Sequence, residues 1–150
     1  MRATAHALRE LVETTRSRLE EISEEQAAQQ VDADRWTIKQ IVGHLIDSAA
    51  NNHQRFIRAQ AEDPFYFPKY EQNAWVDRNH YQTASWKSLV GLWYFYNLHL
   101  SHVMEGIPEA KGATECRIGE YEPATLAWVV QDYLVHLQGH LDEIFGQTAR

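Results

Sequence analysis

Trp36-Thr37-Ile38-Lys39-Gln40-Ile41-Val42-Gly43-His44-Leu45-Ile46-Asp47-Ser48 opens a helix whose start and faces are both written in the sequence. Thr37 and Gln40 form a T-x-x-Q capping box, and Trp36 is placed to pack on Ile41 as a hydrophobic staple. Ile38, Ile41, Val42, Leu45, Ala49 and Phe56 recur at three-four spacing and make a core stripe. Beside it runs a narrow polar line: Gln40, His44, Asp47, Asn51 and Arg55. Its members are short, hydrogen-bonding and of mixed charge, unlike the Glu/Lys pattern of a solvated face. The line reads either as a buried network bracing a helical bundle or as one wall of a site. The pattern carries the helix to about Gln60, roughly 35 Å at the helical rise.

Three further segments share this periodicity. The first runs from about Thr4 to Ile22 on a stripe of Leu8, Leu11, Val12, Thr15 and Leu19, and Gln26 to Asp34 reads as a polar connection. The third runs from Thr83 or Ser85 to Met104, closed by Gly106 and Pro108. The fourth starts at Pro123 or Thr125 and runs to Phe145, with Gly146 as its stop. Between the second and third lies a long aromatic stretch, Asp63 to Gln82, broken by Pro64 and Pro68. Residues 109–121 read as a surface connection. No segment alternates as a strand should. The prediction is an all-α four-helix bundle with a long aromatic loop between helices two and three.

The fourth helix carries Asp132-Tyr-Leu-Val-His136-Leu-Gln-Gly-His140-Leu. Four-residue spacing sets His136 and His140 one above the other on one face, in or beside the seam of Leu126, Val129, Val130, Tyr133, Leu137 and Ile144. Two imidazoles in an apolar seam need two polar partners, which is costly without a metal. If this helix packs on the second, His44 joins them and leaves a coordination position open, the arrangement of a catalytic metal site. The alternative is a set of core histidines held by hydrogen bonds. A zinc-protease reading fails, because the residue after His136 is Leu137 where that motif needs Glu. His99 and His102 are a weaker pair, read as surface residues; His6, His53 and His80 have no partners in sequence.

Composition narrows the field. The 150 residues, 44% apolar and 23% charged, are expected to form one globular domain, 1–150. With no secretory-type leader and no membrane-spanning apolar run, a cytoplasmic protein without membrane contact is expected. Cys116 is the only cysteine, which excludes an internal disulfide or a thiolate cluster. A metal site must therefore be built from imidazole and carboxylate. A net charge of −7 with no basic patch argues against nucleic acid.

The residues from Trp36 to Ser48, continued by Asn52, Arg55 and Phe56, resemble the helix-two motif of the DinB-like superfamily, in particular its YfiT-like branch of metal-dependent hydrolases and bacillithiol S-transferases. Pro68, Tyr70, Glu71 and Trp75 resemble that branch's aromatic loop, and His136 with His140 its helix-four pair. The resemblance covers most of Arg35–Trp75 and Tyr133–Ile144. Two departures stand out: Gly43 and Gly139 occupy positions where relatives carry a further histidine. What the resemblance implies is a DinB-like bundle holding one divalent ion on His44, His136 and His140. Zinc is the first choice, with nickel, iron and manganese chemically open.

The activity implied is that of a hydrolase or a low-molecular-weight-thiol S-transferase acting on a small molecule. Asp47 is the candidate catalytic group, orienting a ligand imidazole or accepting a proton, and Asp132 the candidate to orient His136. Asn51, Asn52 and Arg55 are candidates to hold an anionic group of substrate or thiol, with a salt bridge to Glu62 or Asp63 as the other reading of Arg55. Tyr70 and Trp75 are candidates for a lid, or simply core. The competing hypothesis is a non-catalytic bundle with a structural or sensory metal, completed by Asp47 or His102 as fourth ligand. A metal-free bundle that dimerises through Trp86, Leu89, Trp93 and Tyr96 is the third. Related proteins often pair, so a homodimer is expected.

Overall fold

The computed structural model describes residues 1–148. Its elements are α1 (Arg2–Glu20), α2 (Glu24–Ala28), α3 (Ile38–Arg58), β1 (Phe65–Phe67), α4 (Gln72–Arg78), α5 (Trp86–Gly106), β2 (Glu115–Ile118), β3 (Ala124–Thr125) and α6 (Leu126–Thr148), with 3-10 turns at Tyr81–Thr83 and Glu109–Ala113. The four long helices are the expected bundle. α1 packs on α5 and α6, and so does α3. Consecutive long helices α1 and α3 thus occupy opposite corners, and α3 shares a seam with α6. That seam is what the histidine reading requires.

The chemistry at helix ends explains much of this. Thr37 Oγ1 accepts from the Gln40 amide, and Gln40 Oε1 from the Thr37 amide, so the capping box that starts α3 is complete. Ser85 caps α5 through the Ser88 amide. The stripe of α3 is buried throughout. Trp86, Leu89 and Trp93 are buried inside the bundle, so they serve the core; the exposed apolar residues of α5 are Leu92 and Phe95. No helix among the described residues is long and apolar enough to cross a membrane.

Four expectations are corrected. The stretch taken as a polar connection begins with α2, held by a second capping box between Ser23 and Gln26. Three short strands exist: β1 pairs in parallel with β2, and β2 antiparallel with β3, in the order β1-β2-β3. The sheet joins the aromatic loop to the connection before α6, with Phe65 opposite Cys116 and Phe67 opposite Ile118. The aromatic loop also holds the helix α4. Finally, Gly146 does not end α6, which continues to Thr148.

Candidate metal centre

α3 and α6 bring His44, His136 and His140 into one cluster. A ring nitrogen from each lies within 4.8 Å of the others. The rings meet edge to face, with centroids 5.1 Å (His44–His136), 4.9 Å (His44–His140) and 4.7 Å (His136–His140) apart. His44 Nε2 and His136 Nε2 stand 3.1 Å apart. No fourth His, Cys, Asp or Glu joins the cluster among the described residues. His99 instead stacks on His53.

Burial decides the charge of these rings. It lowers His44 to a pKa of about 3, with His136 and His140 adding repulsion, and it lowers His136 to about 4, with repulsion from His140. Both are neutral at physiological pH, the form in which imidazole binds metals. His44 Nδ1 and His136 Nδ1 are buried without a hydrogen-bond partner. The protein therefore fixes their tautomers only through the Nε2 contact, which needs one ring protonated there and the other not. A cation accepting both lone pairs removes that conflict, and two imidazoles on one ion at about 2.0–2.1 Å are naturally about 3 Å apart. The donor set fits a divalent metal.

The surroundings of the cluster are ordered by residues that sequence reading passed over. His140 Nδ1 lies 3.2 Å from Glu143 Oε2, and Glu143 Oε1 is 3.3 Å from Arg35 Nη2. This carboxylate orients the ring and leaves Nε2 toward the cluster. Three-residue spacing from His140 was the available signal. Trp36 sits with its ring 5.0 Å from that of His44, so the residues entering α3 brace two of the three histidines.

The other site residues divide. Asn52, Arg55, Tyr70 and Asp132 line, with His136, one cavity of about 750 Å³. Asn51, Asp47 and Trp75 are not among its walls. Asn51 donates to the Asp47 carbonyl, and Trp75 packs on Tyr70 at 5.2 Å, 36% exposed. Asp132 makes no hydrogen bond to His136; its nearest charge is Arg55, whose attraction opposes the upward push of burial on the carboxyl. Arg55 gives Nη1 to Asn52 Oδ1, and the ion pair with Glu62 belongs to Arg58.

The chain matches the model of the DinB superfamily over residues 7–144. It belongs to that superfamily. A solved structure described as "YfiT from Bacillus subtilis is a probable metal-dependent hydrolase with an unusual four-helix bundle topology" superposes with a TM-score of 0.85 at 20% identity, covering 99% of this chain and 86% of that one. The likeness shows a shared DinB/YfiT bundle. No curated protein matches this sequence.

Asp47 is a buried carboxylate set back from the cavity. Its Oδ1 accepts from Tyr81 Oη at 2.6 Å and from Asn79 Nδ2 at 3.0 Å, while Oδ2 is buried without a partner. Burial raises its pKa to about 6, partly opposed by the Tyr81 bond. An acid with a raised folded-state pKa takes up protons on folding between its unfolded value and about 6, so stability falls across that window as pH rises. At neutral pH the fold carries the cost of a buried charge. Asp47→Asn is expected to be more stable than the parent at pH 7.5, by about 1–2 kcal/mol after solvent screening is discounted. The gain should vanish near pH 4, where the parent's carboxyl is neutral in the fold. Urea titrations at the two pH values test this, and an equal difference at both would refute it.

Proposed function

We propose that the protein is a metal-dependent enzyme, a hydrolase or a low-molecular-weight-thiol S-transferase, acting on a small molecule held in the cavity beside His136. The supporting observation is the three-histidine cluster, one member of which, His136, lines that cavity, with no fourth protein ligand among the described residues. Structural sites close their coordination shell with four protein ligands, and catalytic ones keep a position for water or substrate. A divalent ion bound there supplies Lewis acidity and lowers the pKa of the attacking water or thiol.

The residues divide the remaining work. His44 and His136 stay neutral, and with His140 they supply the lone pairs. Glu143 and Arg35 hold the His140 ring in its ligating orientation. Asp47, one turn beyond His44 on α3, lies off the cavity wall and steadies that part of α3 through Tyr81 and Asn79. Tyr70, half-buried against Trp75, covers the cavity and limits the entry of water. Zinc is the first expectation among metals that suit imidazole, followed by nickel, iron and manganese.

Stripping and reloading the metal tests the reading. Hydrolysis of an activated ester, and conjugation of a small thiol to 1-chloro-2,4-dinitrobenzene, are measured on metal-loaded protein. At least one of the two is expected roughly tenfold or more above background, lost after chelation and restored by stoichiometric zinc. Rates that ignore chelation in both assays would leave the bundle as a binding module.

A further inference from the structure

Arg55 is a half-buried guanidinium with no carboxylate within ion-pair distance among the described residues, although arginine is seldom buried unpaired. Its place is nonetheless fixed. Nη1 donates to Asn52 Oδ1 at 3.2 Å, and the guanidinium carbon lies 5.1 Å from the centre of the Phe67 ring. Nε is buried and has no hydrogen-bond partner. The part of the fork left unused is therefore the Nε edge, the side on which a guanidinium makes two parallel N–H···O bonds to a planar carboxylate.

Arg55 lines the cavity that also reaches His136. Asp132, the acid whose charge Arg55 feels, precedes His136 by one helical turn, about 6 Å along α6. Lys69 adds a second positive charge to a wall that also carries the acids Asp132 and Glu122, and Tyr70, Tyr121 and Trp128 supply aromatic surface. At about 750 Å³ the space is that of a typical small-ligand pocket.

We propose that this cavity selects carboxylate-bearing small molecules with an apolar or aromatic body, seating the carboxylate on the Nε edge of Arg55 and directing the rest of the molecule toward His136. The inference rests on reading the cavity as the substrate site, and it does not require the metal. A bidentate, charge-assisted contact of this kind discriminates a carboxylate from its neutral amide. A sulfonate offers the same single charge on a tetrahedral group rather than a planar one.

Naphthalene-2-carboxylate, naphthalene-2-carboxamide and naphthalene-2-sulfonate serve as probes, with affinities taken by calorimetry at fixed ionic strength on the full chain. The parent protein should bind the carboxylate at least about tenfold more tightly than the amide, and more tightly than the sulfonate. Arg55→Lys should lose most of that preference, because a point charge cannot form the fork. Arg55→Met should lose all of it while binding the amide as before, which also shows that the variant is folded. His44→Ala should keep the full preference, so that loss of the metal reading and loss of this one are told apart. Equal binding of carboxylate and amide by the parent, no measurable binding of either, or an undiminished preference in Arg55→Met would each overturn the proposal. A parent that prefers the sulfonate would overturn the carboxylate assignment.

Discussion

His136→Ala is expected to yield a folded, helical protein that no longer retains a metal ion, whereas the parent is expected to retain about one. The two halves of this result have separate causes. His136 is only partly buried, and its one protein hydrogen-bonding contact is to His44. Losing it costs about 1–2 kcal/mol, a loss that the surrounding core of Leu137, Leu141, Leu45 and Ile41 can absorb. Metal binding has no such reserve, since two imidazoles replace three and no carboxylate stands in the cluster to substitute. His44→Ala should behave alike. Glu143→Gln should keep the ion but bind it about ten- to a hundredfold more weakly, because the amide orients His140 without adding to its basicity. Elemental mass spectrometry after dialysis, with a chelator competition for Glu143→Gln, reads all three. Stoichiometric metal in His136→Ala would remove the site.

Much of this was visible before any coordinates, for physical reasons that differ between residues. The box of Thr37 and Gln40 is a local signal: both partners lie within one turn, and the structure forms it as written. The approach of His44 to His136 and His140 is a long-range event, legible only because each helix shows an apolar stripe that must face a partner. The strands were invisible because they are two to four residues long and sit among Pro and Gly, too short for alternation to register. Their pairing is between segments distant in sequence, Phe65–Phe67 with Glu115–Ile118. The helix at Glu24–Ala28 is a different failure, because its Ser23–Gln26 box was present in the sequence and was passed over. Arg55 reached the cavity as its place on the polar line suggested, while Asn51, on the same line, turned back to its own helix. A rotamer separates those two fates, and sequence spacing does not specify rotamers.

Gly43→Ala is the substitution expected to damage the fold most for the fewest atoms added. Alanine is ordinarily the better helix residue, by about 1 kcal/mol. Here a Cβ would fall 2.1 Å from Tyr81 Cδ2 and 2.3 Å from Cγ, far inside van der Waals contact. Neither side can give way easily. Gly43 lies on buried helix backbone, and the Tyr81 ring, 7% exposed, is tied by its hydroxyl to Asp47. Moving the ring breaks that bond and leaves Oδ1 with Asn79 Nδ2 alone, on a carboxylate whose Oδ2 is already buried without a partner. The expected loss is about 3 kcal/mol or more. No side chain fits at position 43 while Tyr81 packs on the helix. Tyr81→Ala should therefore invert the effect: in that background Gly43→Ala becomes neutral or stabilising, and a double-mutant cycle by denaturant titration should return a coupling as large as the clash. Gly43→Ala alone within about 0.5 kcal/mol of the parent would show that Tyr81 does not hold the position the structure gives it.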